Sequence, residues 1–250
     1  MKIQLIRNAS LWLEYAGKTF LIDPMFSSQG ANPPVFNTEN DRRNPLVPLP
    51  YPLETWLEPD AVLLTHLHPD HWDPAAAEAL SKDIPVLCQP GDETAVRAGG
   101  FANVTELGGE GLAFHGITII RTSGQHGTGE IGKLMGQVSG YVLQAQGEPT
   151  LYIAGDTIWC EDVKQALDRY RPDITLVNAG GARFTEGDPI IMTADDVISL
   201  CTYASDTQVA AIHMDAINHC LTTRDDLRQR LDAEHLSERV RIPQDGEWFF

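Results

Sequence analysis

Cationic residues are scarce. Lys and Arg together number 18 against 35 Asp and Glu, a formal net charge of −17 at pH 7. Nucleic acid and anionic membrane surfaces are bound through cationic side chains, so the composition argues against both partners. Cysteine is rarer still. Cys88, Cys160, Cys201 and Cys220 lie far apart and form no CxxC pair. That pattern excludes a cysteine-rich disulfide scaffold and fits free thiols in a reducing compartment. No run approaches the roughly 20 apolar residues of a membrane span. The N-terminal MKIQLIRNASLWLEYAGKTFLIDP lacks the apolar core and small-residue cleavage site of a signal peptide. The expected location is cytoplasmic. At 250 residues and 42% hydrophobic content, the chain can build one large α/β domain or two small ones.

Histidine is also sparse, yet it is concentrated. Three of the eight histidines fall in Leu63–Asp73, LLTHLHPDHWD. His66, His68, Asp70 and His71 fall within six consecutive positions. The apolar Ala61–Leu64 upstream reads as a buried strand. Asp73-Pro74 downstream reads as an N-cap with Pro at the first helical position, followed by a helix over Ala75–Leu80. The cluster therefore sits on a strand-to-helix loop, where α/β proteins bind ligands. Neutral imidazole offers a nitrogen lone pair and Asp a hard anionic oxygen. His66 and His68, two apart on an extended segment, point the same way, and Asp70 and His71 turn toward a second point. That spacing suits two metals side by side.

The rest of the chain repeats one arrangement. Lys2–Arg7, Ser10–Tyr15 and Thr19–Asp23 read as a β-meander with a turn at Ala16-Gly17-Lys18. Met25–Pro59 is Pro- and Asn-rich, but Phe26, Phe36, Tyr51 and Trp56 give it something to bury. It reads as a long ordered loop that either walls a substrate site or covers surface. Strands are predicted at Ile84–Gln89, Val104–Leu107, Leu112–His115, Ile117–Thr122, Val138–Gln144, Thr150–Ala154, Asp173–Asn178 and Gln208–Ile212. Val240–Pro243 and Glu247–Phe250 read as strand-like closing pieces. Helices are predicted at Asp92–Ala98, Glu161–Tyr170, Thr193–Tyr203 and Thr222–Leu231. The Gly-dense SGQHGTGEIGKLMGQVSG reads as flexible. A polar residue suited to metal or substrate follows an apolar strand again and again: His66, Asp156, Asn178 and His213. His126 follows Ile117–Thr122 in the Gly-rich segment. Strand ends on one sheet edge converge on one cleft. The rhythm of strands, then strand–helix alternation, occurs twice, which suits two sheets flanked by helices.

His66-x-His68-x-Asp70-His71, followed in order by His126, Asp156 and His213, resembles the metallo-β-lactamase-fold hydrolases over nearly the whole chain. GQHGTGE, VNAGGARF and HMDAINH are most similar to the L-ascorbate-6-phosphate lactonase-like branch. The resemblance implies one α/β domain over residues 1–250, a four-layer αβ/βα sandwich of two mixed sheets flanked by helices. It also implies that His66, His68 and His126 hold one divalent ion, that Asp70, His71 and His213 hold a second, and that Asp156 bridges them. Zn²⁺ suits the imidazole site, and Mn²⁺ or Fe²⁺ would also be accepted. Two cations so bridged lie about 3.5–4 Å apart and acidify the water between them into a hydroxide nucleophile.

Further residues carry weaker expectations. Asp70 and His219 are the candidates for proton transfer, and Asn178 and Arg183 for contact with an oxyanion or anionic substrate group. Asp23 and Asp73 are candidates to orient a ligand His. His115 and His235 read as surface residues, and Cys160 as core rather than ligand. The leading function is hydrolysis of a small-molecule ester, lactone or phosphoester. The alternatives are a phosphodiesterase or RNA-processing nuclease, against which the acidic charge counts, and a non-enzymatic metal-binding regulator. A homo-oligomer is compatible with the sequence.

Overall fold

The computed structural model describes all 250 residues. Six strands, β1 (Lys2–Arg7), β2 (Ser10–Tyr15), β3 (Lys18–Ile22), β4 (Ala61–Leu63), β5 (Val86–Cys88) and β6 (Val104–Glu106), form one sheet in sequence order. The first three are antiparallel and the rest run parallel. The β2–β3 hairpin turns on Ala16 and Gly17, both with positive φ (50° and 75°), the twist a two-residue hairpin prefers.

The second sheet comprises β7 (Leu112–Phe114), β8 (Ile117–Ser123), β9 (Ser139–Gln144), β10 (Leu151–Ile153), β11 (Ile174–Asn178), β12 (Gln208–Ile212) and β13 (Val240–Arg241). Here β7–β9 are antiparallel and β10–β13 parallel. The C-terminal segment lies along β1, with Ile3 N–H donating to the Phe250 carbonyl and Phe249 N–H to that of Ile3.

Alternation along the strands builds the layers. Ile3, Leu5, Leu151 and Ile153 enter the core between the sheets. Tyr152 and Ala154 face the other way, onto α4 (Glu161–Tyr170), α5 (Ala194–Tyr203) and α6 (Arg224–Ala233). On the far side, Ile6, Leu21 and Val62 pack against α1 (Pro74–Ala79) and α2 (Glu93–Ala98). Both faces of the strands are thus covered, so they read as nearly continuous apolar runs. This is the expected helix–sheet–sheet–helix sandwich.

One segment differs from the sequence reading, and the long loop agrees with it. Residues 129–135 form a helix, α3 (Gly129–Met135), with no buried residue. Its glycines are not a mark of flexibility: a Cβ at Gly132 would lie 2.7 Å from the Gly127 carbonyl oxygen, so close approach requires glycine there. The long Met25–Pro59 loop has a 3₁₀ turn at Leu53–Trp56 and an antiparallel bridge between Asn32 and Asn44. It is held by the fully buried Arg7, which donates to the carbonyls of Met25, Ser27 and Val47. Trp56 Nε1 donates to Gln4 at 3.1 Å. No helix is long and apolar enough to cross a membrane.

Candidate metal centre

The ends of β4, β8, β10, β11 and β12 deliver His66, His126, Asp156, Asn178 and His213 to one edge of the sandwich. Gly155, with φ 70°, turns the chain immediately before Asp156. A Cβ there would lie 2.4 Å from the Ser139 carbonyl oxygen, so only glycine fits. Asn8, Asp23 and His213 also have positive φ (59°, 45° and 64°), strain of a kind that clusters at functional sites.

Hydrogen bonds fix the imidazole tautomers. Thr65 Oγ1 gives its one hydrogen to Asp23 Oδ2 at 2.6 Å. It therefore accepts from Nδ1 of His66, 3.0 Å away. Nδ1 of His71 donates to the same Asp23 oxygen at 2.9 Å. Nδ1 of His126 donates to the Ile190 carbonyl at 2.8 Å, an acceptor only. In each neutral ring the proton sits on Nδ1, so Nε2 presents its lone pair inward.

Those lone pairs surround one carboxylate. Oδ2 of Asp156 lies 3.2 Å from Nε2 of His71, 3.6 Å from that of His126 and 3.9 Å from that of His66. Oδ1 lies 3.7 Å from Nε2 of His213. Asp70 Oδ2 is 3.2 Å from Nε2 of His213 and 3.8 Å from that of His71. The candidate ligand atoms form three triads, each within 4.8 Å: His66, His68 and His126; His66, His71 and Asp156; Asp70, His71 and His213.

This donor set fits a divalent cation. Nε2 of His66 is buried without a hydrogen-bond partner, a cost that a metal bond removes. Nε2 of His71 and Nε2 of His213 face each other at 3.1 Å, which suits ligands of a common cation. Burial pushes His66 and His126 below the ordinary histidine value. For His71, burial is outweighed by Asp156, Asp70 and Asp23, which raise it to about 10. His213 is raised against its burial by Asp156, Cys220 and Asp70. Negative charge gathered here demands positive charge, which a cation supplies in place of protons.

The surrounding residues have distinct tasks. Asn178, a substrate-contact candidate by sequence, is 4% exposed and commits its amide to Asp156 Oδ1 at 2.6 Å. Asp23 orients His71 and Thr65. Asp73 does not reach a histidine. It caps α1 through Ala76 N–H and accepts from Ser27 N–H. Cys160 lies against Thr157 and the helix-side core, while His115 and His235 are exposed.

Arg183 and His219 lie across a short antiparallel bridge between Ala182 and Cys220, with Arg183 N–H donating to the His219 carbonyl at 3.1 Å. Nε of Arg183 and Nδ1 of His219 are both buried without partners. Burial pushes His219 down to about 4. Sequence reasoning missed Cys220, whose Sγ is 3.4 Å from Nδ1 of His213. It also missed Asn8, whose amide donates to the Asp70 carbonyl at 3.1 Å. Neither position carries a local signal, since the pairing is created by distant segments.

Residues 18–214 match the family model described as beta-lactamase superfamily domain. The Bacillus subtilis protein named UPF0173 protein YddR is 37% identical, over 99% of this chain and 98% of its own. An isothiocyanate hydrolase from Delia radicum gut bacteria, of known crystal structure, is 40% identical with TM-score 0.95, covering 100% of this chain and 99% of its own. A Veillonella parvula protein described as a possible metal-dependent hydrolase is 33% identical with TM-score 0.96, covering 100% and 98%.

Proposed function

The chain belongs to the beta-lactamase superfamily and is a metal-dependent hydrolase of that fold, and from this premise we propose that it hydrolyses small organic molecules at an electrophilic carbon, isothiocyanates first among them. The observation that carries the reading is the convergence of inward-facing Nε2 atoms on Asp156. Its substrate side is supported by the isothiocyanate hydrolase that matches over the full chain.

His66, His68 and His126 would hold one divalent ion and Asp70, His71 and His213 a second, with Asp156 between them. Zn²⁺ suits the imidazole-rich set, and Mn²⁺ or Fe²⁺ are alternatives. When bound, the metal would supply a Lewis acid and activate water at neutral pH.

The chain's own residues do the rest. Asp70 has the most exposed of the site's carboxylate side chains, at 19% against 5% for Asp156 and 2% for Asp23. It takes the proton of the attacking water. His219, kept neutral by burial, hydrogen-bonds the substrate nitrogen, and the free Nε of Arg183 faces the charge that develops on sulfur. Water adds its oxygen to the central carbon of R–N=C=S and a proton reaches nitrogen, giving R–NH–C(=O)–SH. That acid breaks its C–N bond, transfers the thiol proton to nitrogen, and leaves R–NH₂ and O=C=S.

The test is a hydrolysis screen of Zn²⁺- and Mn²⁺-loaded protein with isothiocyanates, lactones, carboxylic esters and phosphodiesters. Amine release from isothiocyanates, abolished by chelation and restored by metal, is the expected result. Turnover of phosphodiesters alone would refute it.

A further inference from the structure

Beside the metal centre lies a cleft of about 560 Å³ whose walls come from three separate segments: the 36–37 loop, α3, and the 184–186 loop. Phe36, Ile131, Leu134, Met135 and Phe184 line it, no Lys or Arg does, and Glu186 is its one charged residue. Phe36 and Leu134 are 76% and 79% exposed. Such side chains grouped around one concavity mark a binding surface.

The cleft adjoins the site. The ring of Phe184 lies 6.3 Å from that of His219, centroid to centroid. Ile131, Met135 and Phe184 rest on Ile190 and its neighbours, and the Ile190 carbonyl fixes the tautomer of His126. The outer wall is fastened to the same place. Asn218, next to His219, bonds Val35, Thr38, Asn40 and Asn44. Thr185 N–H donates to the Asn37 carbonyl at 2.8 Å. Residues 36–37 of the long loop are thereby held as one wall of the cleft.

Resting on the reading of the site as a hydrolase of electrophilic carbon, we infer that this cleft seats the uncharged hydrocarbon group of the substrate. The partnerless polar atoms of Arg183 and His219 meet its reactive head. A phosphorylated or sugar substituent finds no cation here and would face Glu186. An aryl or alkyl tail of up to about ten carbons finds apolar walls, each buried methylene adding about fourfold to binding. The chain thus selects hydrophobic electrophiles over small hydrophilic ones.

The experiment compares kcat/KM for methyl, butyl and phenethyl isothiocyanate, each normalised to its rate with free hydroxide. In parallel, the ¹³C-methyl signal of Met135 is followed while unreactive phenethylurea or methylurea is added. The expected result is a phenethyl-to-methyl ratio above about tenfold, reduced at least tenfold in Leu134→Asp with Phe36→Ser. The Met135 signal should shift with phenethylurea only. If no isothiocyanate is hydrolysed but phenethylurea still moves Met135, the substrate reading fails and the cleft assignment stands. If hydrolysis proceeds with no dependence on the tail, or Met135 ignores phenethylurea, the assignment is overturned. It is equally overturned if Leu134→Asp splits a dimer and leaves the ratio unchanged, because the cleft is then an interface between copies of the chain.

Discussion

Asn178 donates its side-chain amide to Oδ1 of Asp156 at 2.6 Å, leaving Oδ2 to face His66, His71 and His126. The bond fixes the rotation of the carboxylate on which the candidate ligands converge. Asn178→Ala frees that rotation and leaves a buried oxygen unpaired. Zn²⁺ affinity should weaken about 10- to 100-fold with the circular dichroism spectrum unchanged. Unaltered affinity in a competition titration would remove Asn178 from the site's support.

The proposed division of candidate ligands between two ions carries a stoichiometry. Asp70→Ala combined with His71→Ala disrupts both triads that contain His71 and leaves His66, His68 and His126 intact. Bound metal should fall from about two ions per chain to about one, and turnover should drop at least 100-fold. Elemental analysis after gel filtration reads the first, and full metal content in the double variant contradicts the division.

His219 gives a pH dependence with a definite sign. Its folded value is about 4 because burial disfavours the charged ring, against about 6.5 in an unfolded chain. Between those values the unfolded state binds the extra proton, so stability is complete above about 6.5 and is lost as pH falls toward 4. Chelated wild-type protein should lose about 2 kcal/mol more than His219→Asn between pH 7 and pH 5. Urea unfolding of both proteins at both pH values measures it. Equal losses would mean that His219 takes its proton without cost.

Asn218 clamps the wall loop through both its backbone and its side chain. Asn218→Ala should destabilise the protein by roughly 2–4 kcal/mol, since several buried hydrogen bonds lose a partner together. It should also raise amide exchange in residues 35–44 before anywhere else. Exchange that rises uniformly would place the clamp in the global fold instead of in the loop.

Much of this site is legible in the chain because its ligands follow strands. His66, Asp156 and His213 each follow an apolar run, and the twice-repeated rhythm of strands then strand–helix alternation points to the two sheets. Thr193, and either Thr222 or Thr223, read as caps, and Thr193 and Thr223 close capping boxes in the structure. What local patterns do not carry is pairing between distant segments. Helix α3 was hidden because glycine needed for close approach looks like glycine used for flexibility. Asn178 looked like a substrate contact because a polar residue at a strand end does not announce its partner.

The sequence by itself determined the candidate ligand types, their order and the two-sheet architecture, since strand–helix rhythm and strand-end chemistry are local properties. Only the tertiary structure decided which nitrogen of His66, His71 and His126 points inward, because Asp23, which takes the Thr65 hydrogen and accepts from His71, and the Ile190 carbonyl arrive from elsewhere in the fold. It also decided where the proline-rich loop is anchored, because Asn218 and Thr185 hold it. Those choices depend on hydrogen bonds between residues up to 183 positions apart, and no local pattern encodes a bond of that span.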